Sequence, residues 1–281
     1  MRPECLGVLG LGVVGGSAAW AARSAGVPRV IGWAASRADG TAALRAGAID
    51  DLADRADRAV RGATIVLLAD APADLDAVLR RVAGHLSSTT TILLCSEVHS
   101  AALTSAASHG LADRTAALHP MGEVVGPGFQ GAAPGRFHGR ITYVSAADTD
   151  AGHRAARTAM SFVEETLGGA PVLTDPARHD EQVAWTRHLP GAAMAVLAHL
   201  LDGRRLGGVT WGAAARLARE GMPVDPVAGS EVILANRVAV SAALEALAGD
   251  LDLLRRSLSE GDAAKVRDFF AAAARFRPGT N

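Results

Sequence analysis

The feature that most constrains this chain is a glycine pattern close to its start, Gly10-Leu11-Gly12-Val13-Val14-Gly15. It follows the short apolar run Cys5–Leu9 and precedes a small-residue stretch, Ser17 to Ala25. That context reads as strand, tight turn, helix. Gly10 permits the turn, Gly12 lets a ligand approach the backbone, and Gly15 lets helix and strand pack closely. The helix start offers N–H groups and a positive dipole end to phosphate. A bound dinucleotide is therefore expected at Gly10, Leu11, Gly12, Val13, Val14 and Gly15. Ala69, just beyond the run Ala63–Leu68, is expected at the same site.

The second strand, Pro28–Trp33, leads into Ala34-Ala35-Ser36-Arg37. An NAD site normally places an acid here to hold the ribose 2′-hydroxyl. No acid is present. Ser36 and Arg37 can instead hold a 2′-phosphate through charge-assisted hydrogen bonds. The expected cofactor is NADP in preference to NAD.

Further short strands are expected at Ala63–Leu68, Thr91–Cys95, Thr115–Leu118 and Arg140–Ser145, most of them separated by alanine-rich helical stretches. Such alternation implies a parallel sheet covered on both faces. Helical periodicity then takes over, in 179–201, 208–219, 230–260 and 263–275. Breaks are expected at Asp225-Pro226 and around Gly261-Asp262. The fold class expected is a Rossmann-type doubly wound α/β domain, residues 1–172, followed by an all-α domain, residues 173–281.

With 49% hydrophobic and 20% charged residues, the 281-residue chain can bury a sizeable core. A formal net charge of -1 gives no pull toward nucleic acid or an anionic membrane. No apolar run reaches the ~18 residues of a membrane helix, and the first residues lack a signal-peptide layout. Two distant cysteines, Cys5 and Cys95, form no disulfide framework, which suits a reduced cytoplasmic compartment. The nine histidines do not fall in i, i+4 pairs with acids, so no metal site is expected. His179-Asp180-Glu181 reads as a helix opening, with its acids favourable to the dipole.

Three more segments carry chemistry: Leu118-His119-Pro120-Met121-Gly122-Glu123, then His179-Asp180-Glu181 with His188-Leu189-Pro190, then Ala215-Arg216-Leu217-Ala218 with Asn236 downstream. In this order, behind the glycine loop, they resemble the prephenate/arogenate dehydrogenase family of tyrosine biosynthesis. The resemblance spans roughly residues 5 to 240. It implies a Rossmann domain with a helical dimerisation domain, hence a homodimer. The activity it implies is NAD(P)-dependent oxidative decarboxylation of a small cyclohexadiene dicarboxylate. His119 matches the family histidine that bonds the ring C4 hydroxyl, where an imidazole can accept a proton. Arg216 matches an arginine that grips a substrate carboxylate. His188 matches a histidine of the substrate pocket, and Glu123 a glutamate near its mouth.

The departures matter as much. Where the family has Asp-x-Gly-Ser-x-Lys, this chain reads Leu94-Cys95-Ser96-Glu97-Val98-His99. Glu97 thus replaces a serine beside the catalytic histidine, and His99 replaces a lysine; both are expected at the substrate. A carboxylate opposes the charge developing on a hydroxyl that loses its proton, but it suits an ammonium. Prephenate, arogenate and the 4-amino analogue 4-amino-4-deoxyprephenate, a compound of specialised metabolism, all remain open as substrates. A one-residue slip that puts Ser96 in the serine's role stays open too. So does a non-catalytic NAD(P)-binding regulatory protein.

Overall fold

The computed structural model describes residues 2–69, 75–122, 126–202 and 226–275. Among the described residues the sheet has eight strands: β1 (Cys5–Leu9), β2 (Arg29–Trp33), β3 (Asp51–Leu52), β4 (Ile65–Leu68), β5 (Thr91–Cys95), β6 (Thr115–Pro120), β7 (Ile141–Ala146) and β8 (Ala170–Leu173). The spatial order is β3-β2-β1-β4-β5-β6-β7-β8. Neighbours run parallel except β6 and β7, which pair antiparallel with His119 opposite Tyr143. The order turns back at β1 and β4, so the ligand crevice expected of such a sheet opens at their carboxyl ends. Because β1, β4, β5 and β6 are parallel, the glycine loop, Glu97 and the His119 end of β6 all fall along that one edge.

The central strands β1, β4, β5 and β6 are buried on both sides, and alternate residues serve different cores. Leu6, Val8, Ile65, Leu67 and Leu93 join one cluster. Leu9, Val66, Leu68, Ile92 and Leu94 join the other. Helices cover both faces, which is why these strands read as unbroken apolar runs instead of alternating ones. On one face lie α1 (Val13–Ser24) and α6 (Asp150–Phe162), and on the other α3 (Ala56–Ala59), α4 (Leu75–Ala83) and α5 (His99–Ser108). The α/β sheet with a helical C-terminal region is the fold class the sequence implied. Its last two strands run against the others, and the two shortest additions, β3 and β8, carried no readable pattern.

The described residues up to Val183, with helix Pro226–Ala235, form one compact unit. Ala184–Asp202 and the residues from Asn236 onward form a second. Helix α7 (Pro176–Val183) therefore belongs with the sheet, although its periodicity alone groups it with the later helices. In the second unit, Ala184–His188 make a π-helical turn ahead of α8 (Leu189–Asp202). The sequence reads 230–260 as one helical stretch; the chain breaks it at Asn236, between Pro226–Ala235 and Arg237–Ser259. The expected stop near Gly261 is present: Asp262 caps helix Ala263–Ala274 by accepting from the Lys265 N–H at 3.0 Å. The expected helix at 208–219 and the Asp225-Pro226 break lie outside the described residues. Among those described, no single helix is long and apolar enough to cross a membrane.

Candidate active site

The glycine loop has the geometry its sequence demands. Gly10 sits at φ 93°, where side-chain-bearing residues are strained, and its N–H donates to the Trp33 carbonyl at 2.9 Å. A Cβ on Gly15 would lie 1.9 Å from the Gly10 carbonyl oxygen and 3.0 Å from Ala69 Cβ. Helix α1 begins at Val13 with Gly12 as its N-cap. Among the described residues no side chain caps it, and no acid lies in its first turn. Such a start leaves the pole open to an anion. Leu11, Val13 and Ala69 are buried, so their side chains serve packing, and the loop's approach to a ligand is through backbone.

Ser36 and Arg37 are both exposed at the start of α2 (Arg37–Arg45). Ser36 is the N-cap, its Oγ accepting from the Asp39 N–H at 3.2 Å. The Asp39 carboxylate accepts the Phe129 N–H at 2.8 Å. Phe129 also stacks on Trp20 of α1, ring centroids 5.8 Å apart. The stretch after the His-Pro-Met segment is thus tied to both α1 and α2. Ala133 N–H adds a bond to Ser17 Oγ at 3.0 Å.

At the other end of the crevice, four groups converge. His119 Nδ1 lies 3.0 Å from His179 Nε2. His179 Nδ1 lies 2.9 Å from Asp180 Oδ1. His99 stacks face to face on His179, centroids 3.7 Å apart and planes 8° from parallel. The Asp180 carboxylate also takes two N–H groups from the start of α5, His99 at 2.7 Å and Ser100 at 2.9 Å. All four residues are buried. Burial alone would raise the Asp180 carboxyl, but hydrogen bonds from His179, Ser100 and His99 outweigh it and hold the group below its ordinary value. Burial, reinforced by the nearby His179 and His119 rings, pushes His99 down to about 2, so its ring is neutral at working pH.

His99, expected at the substrate, has no exposed surface, and its Nδ1 lies 2.7 Å from Ser145 Oγ. His179 and Asp180 do more than open a helix. They lie within α7, buried beside His119, with Asp180 closing the start of a different helix. The adjacent His-Asp pair was the signal for them. Glu97 is half-buried in the turn after β5, one residue from Ser96. Ser96 Oγ accepts from the Val98 N–H at 3.1 Å and donates to the Val98 carbonyl at 3.0 Å. In the second unit, His188 is buried and its Nδ1 lies 3.2 Å from Asn236 Nδ2. Glu123 and Arg216 lie outside the described residues. Among those described, no group of three or more His, Cys, Asp or Glu side chains is placed to hold a metal.

No family model matches the sequence, and no curated protein matches it. Solved structures do. The prephenate dehydrogenase of A. aeolicus, in complex with hydroxyphenyl propionate and NAD+, superposes with a TM-score of 0.87 at 18% identity, covering 96% of each chain. Synechocystis arogenate dehydrogenase superposes at 0.79 with 23% identity, covering 96% of this chain and 97% of its own. A pyrroline-5-carboxylate reductase from Coxiella burnetii reaches only 0.51 at 15% identity. The chain has the fold of the prephenate and arogenate dehydrogenases.

Proposed function

We propose that this chain is a nicotinamide-dependent dehydrogenase that oxidises and decarboxylates prephenate or arogenate, with His119 as its base. The observation that carries the reading is the placement of His119, at the carboxyl end of β6 and on the same sheet edge as the glycine loop. The loop fits a dinucleotide: Gly10 holds a positive φ, the backbone at Gly15 leaves no room for a side chain, and among the described residues no side chain caps the α1 start. A bound nicotinamide supplies the hydride acceptor. As hydride leaves C4 of the ring, His119 takes the proton of the C4 hydroxyl. The C1 carboxylate departs as CO2, its bonding pair completes the aromatic ring, and the proton returns to the phenolic oxygen. Arg216 and His188 are assigned to the substrate carboxylates and pocket, and Glu123 to its mouth. Ser36 and Arg37 favour NADP.

A second substrate reading is favoured by the turn after β5. The Ser96 hydroxyl is engaged at both ends with Val98, which disfavours its standing in for the family serine. Glu97 is then the residue at that position. A carboxylate there suits a C4 ammonium, as in 4-amino-4-deoxyprephenate, whose product is 4-aminophenylpyruvate. The test is a spectrophotometric screen of both cofactors against prephenate, arogenate and the 4-amino compound. Turnover of prephenate equal to or better than the 4-amino compound removes the second reading. No turnover of any of the three removes the first as well, and leaves the non-catalytic NAD(P)-binding reading.

We also assign the helical half to a homodimer interface. Leu251 and Leu258, two turns apart on one face of a long helix, are 56% and 61% exposed, an apolar stripe that a second copy of the chain would cover. Light scattering at micromolar concentration tests this, and a monomeric mass would overturn it.

A further inference from the structure

The buried cluster at the end of β6 holds more than one imidazole, and its hydrogen bonds determine where the protons sit. An ionised carboxylate only accepts. Asp180 Oδ1 already takes the His99 N–H and lies 2.9 Å from His179 Nδ1, so that nitrogen carries a hydrogen. A neutral imidazole with its hydrogen on Nδ1 is bare at Nε2. His179 Nε2 is the atom 3.0 Å from His119 Nδ1, so His119 donates there. His119 then keeps its hydrogen on Nδ1 and carries a lone pair on Nε2.

A second chain of bonds sets His99. Ser145 Oγ donates to the Thr174 carbonyl at 2.9 Å, which spends its only hydrogen. It therefore accepts from His99 Nδ1 at 2.7 Å. His99 Nε2 is buried with no hydrogen-bond partner among the described residues. His99 meets His179 by its ring face alone, so it packs that ring without competing for either of its nitrogens.

We propose that Asp180 and His179 are positioning residues for His119: they hold its hydrogen on Nδ1 and so present Nε2 as the proton-accepting nitrogen, with His99 stacked on His179 to keep that ring in plane. The inference rests on His119 being the base of the proposed reaction. The opposite tautomer carries its hydrogen on Nε2 and cannot accept there. When His119 takes the substrate proton, its Nδ1–H bond to His179 becomes charge-assisted, with the Asp180 carboxylate behind it.

Long-range nitrogen–proton NMR on the full chain, labelled with 15N-histidine, reads the tautomer directly and needs no substrate; His119→Asn assigns the resonance. The result expected at pH 7 is a protonated Nδ1 and an unprotonated Nε2 on His119. Asp180→Asn and His179→Leu should erase that preference. His179→Gln should restore it, because its side-chain oxygen can accept from Nδ1–H. The same order should appear in kcat, with a loss of roughly 10²- to 10⁴-fold in Asp180→Asn and His179→Leu. A wild-type His119 protonated on Nε2 overturns the proposal, as does a preference unchanged in both disruptive variants. Should neither variant fold, the wild-type spectrum alone decides. An Nδ1–H tautomer in a protein that turns over none of the three substrates would remove the reaction and leave the positioning intact.

Discussion

The backbone N–H of Phe129 donates to the carboxylate of Asp39 at 2.8 Å, across 90 positions of sequence. One contact thereby joins the turn that carries Ser36 and Arg37 to the segment following His119. Asp39→Ala leaves the Phe129 N–H, partly buried, without its acceptor. The expected cost is about 1–3 kcal/mol of stability. Asp39→Asn keeps an acceptor and should cost less. Denaturant melts of the two variants check the order.

Gly15→Ala places a Cβ 1.9 Å from a backbone oxygen, which cannot yield like a flexible side chain. The α1 start must move away from the loop. Dinucleotide affinity should fall by at least roughly tenfold, the effect of about 1.4 kcal/mol, measured by quenching of tryptophan fluorescence. Gly249→Ala is the counter-case. It lies exposed within helix Arg237–Ser259 with nothing near its missing Cβ, so alanine should stabilise the protein by about 0.5–1 kcal/mol.

Arg37→Ala should weaken NADP binding roughly tenfold and leave NAD nearly unchanged, because a 2′-phosphate loses a charge-assisted partner and a 2′-hydroxyl does not. Paired titrations read the ratio. Equal losses for both cofactors would place Arg37 elsewhere.

His99 makes stability depend on pH in a stated direction. Its folded value is about 2 against an ordinary 6.5, so in this window the unfolded chain binds the proton and the folded chain does not. Its contribution is complete above 6.5 and is lost as pH falls from there toward 2, by up to about 1.4 kcal/mol per pH unit. Asp180, held below its ordinary 3.8, adds a further loss as pH falls below that value. His99→Phe keeps a ring against His179 and cannot titrate. Its melts should weaken less between pH 6.5 and 4.5 than those of the wild type.

His119→Asn should abolish turnover while cofactor affinity stays nearly unchanged, since the residue lies at β6 and the glycine loop at β1. Stopped-flow and binding measurements on one preparation separate the two. Unchanged turnover would remove His119 as the base.

Much of this protein is legible in its sequence, and the reason is local. The runs at Cys5–Leu9, Thr91–Cys95 and Arg140–Ser145 announce strands because adjacent residues alone set an apolar run. The glycines announce the loop because φ at Gly10 and the close approach at Gly15 exclude side chains within one short stretch. Strands β3 and β8 escape notice because pairing with neighbours makes them, with little pattern of their own. The candidate site divides along the same line. His119 is marked by the residues that flank it. His179 and Asp180 are not, because their partners lie far along the chain: Asp180 meets the His99 N–H over 81 positions and His179 meets His119 over 60. Sequence by itself marked six of the strands, the glycine loop and the imidazole at the sheet's edge. Only tertiary packing decided that a carboxylate and two further imidazoles would be buried behind it, since burial is what gives those distant hydrogen bonds their strength and direction.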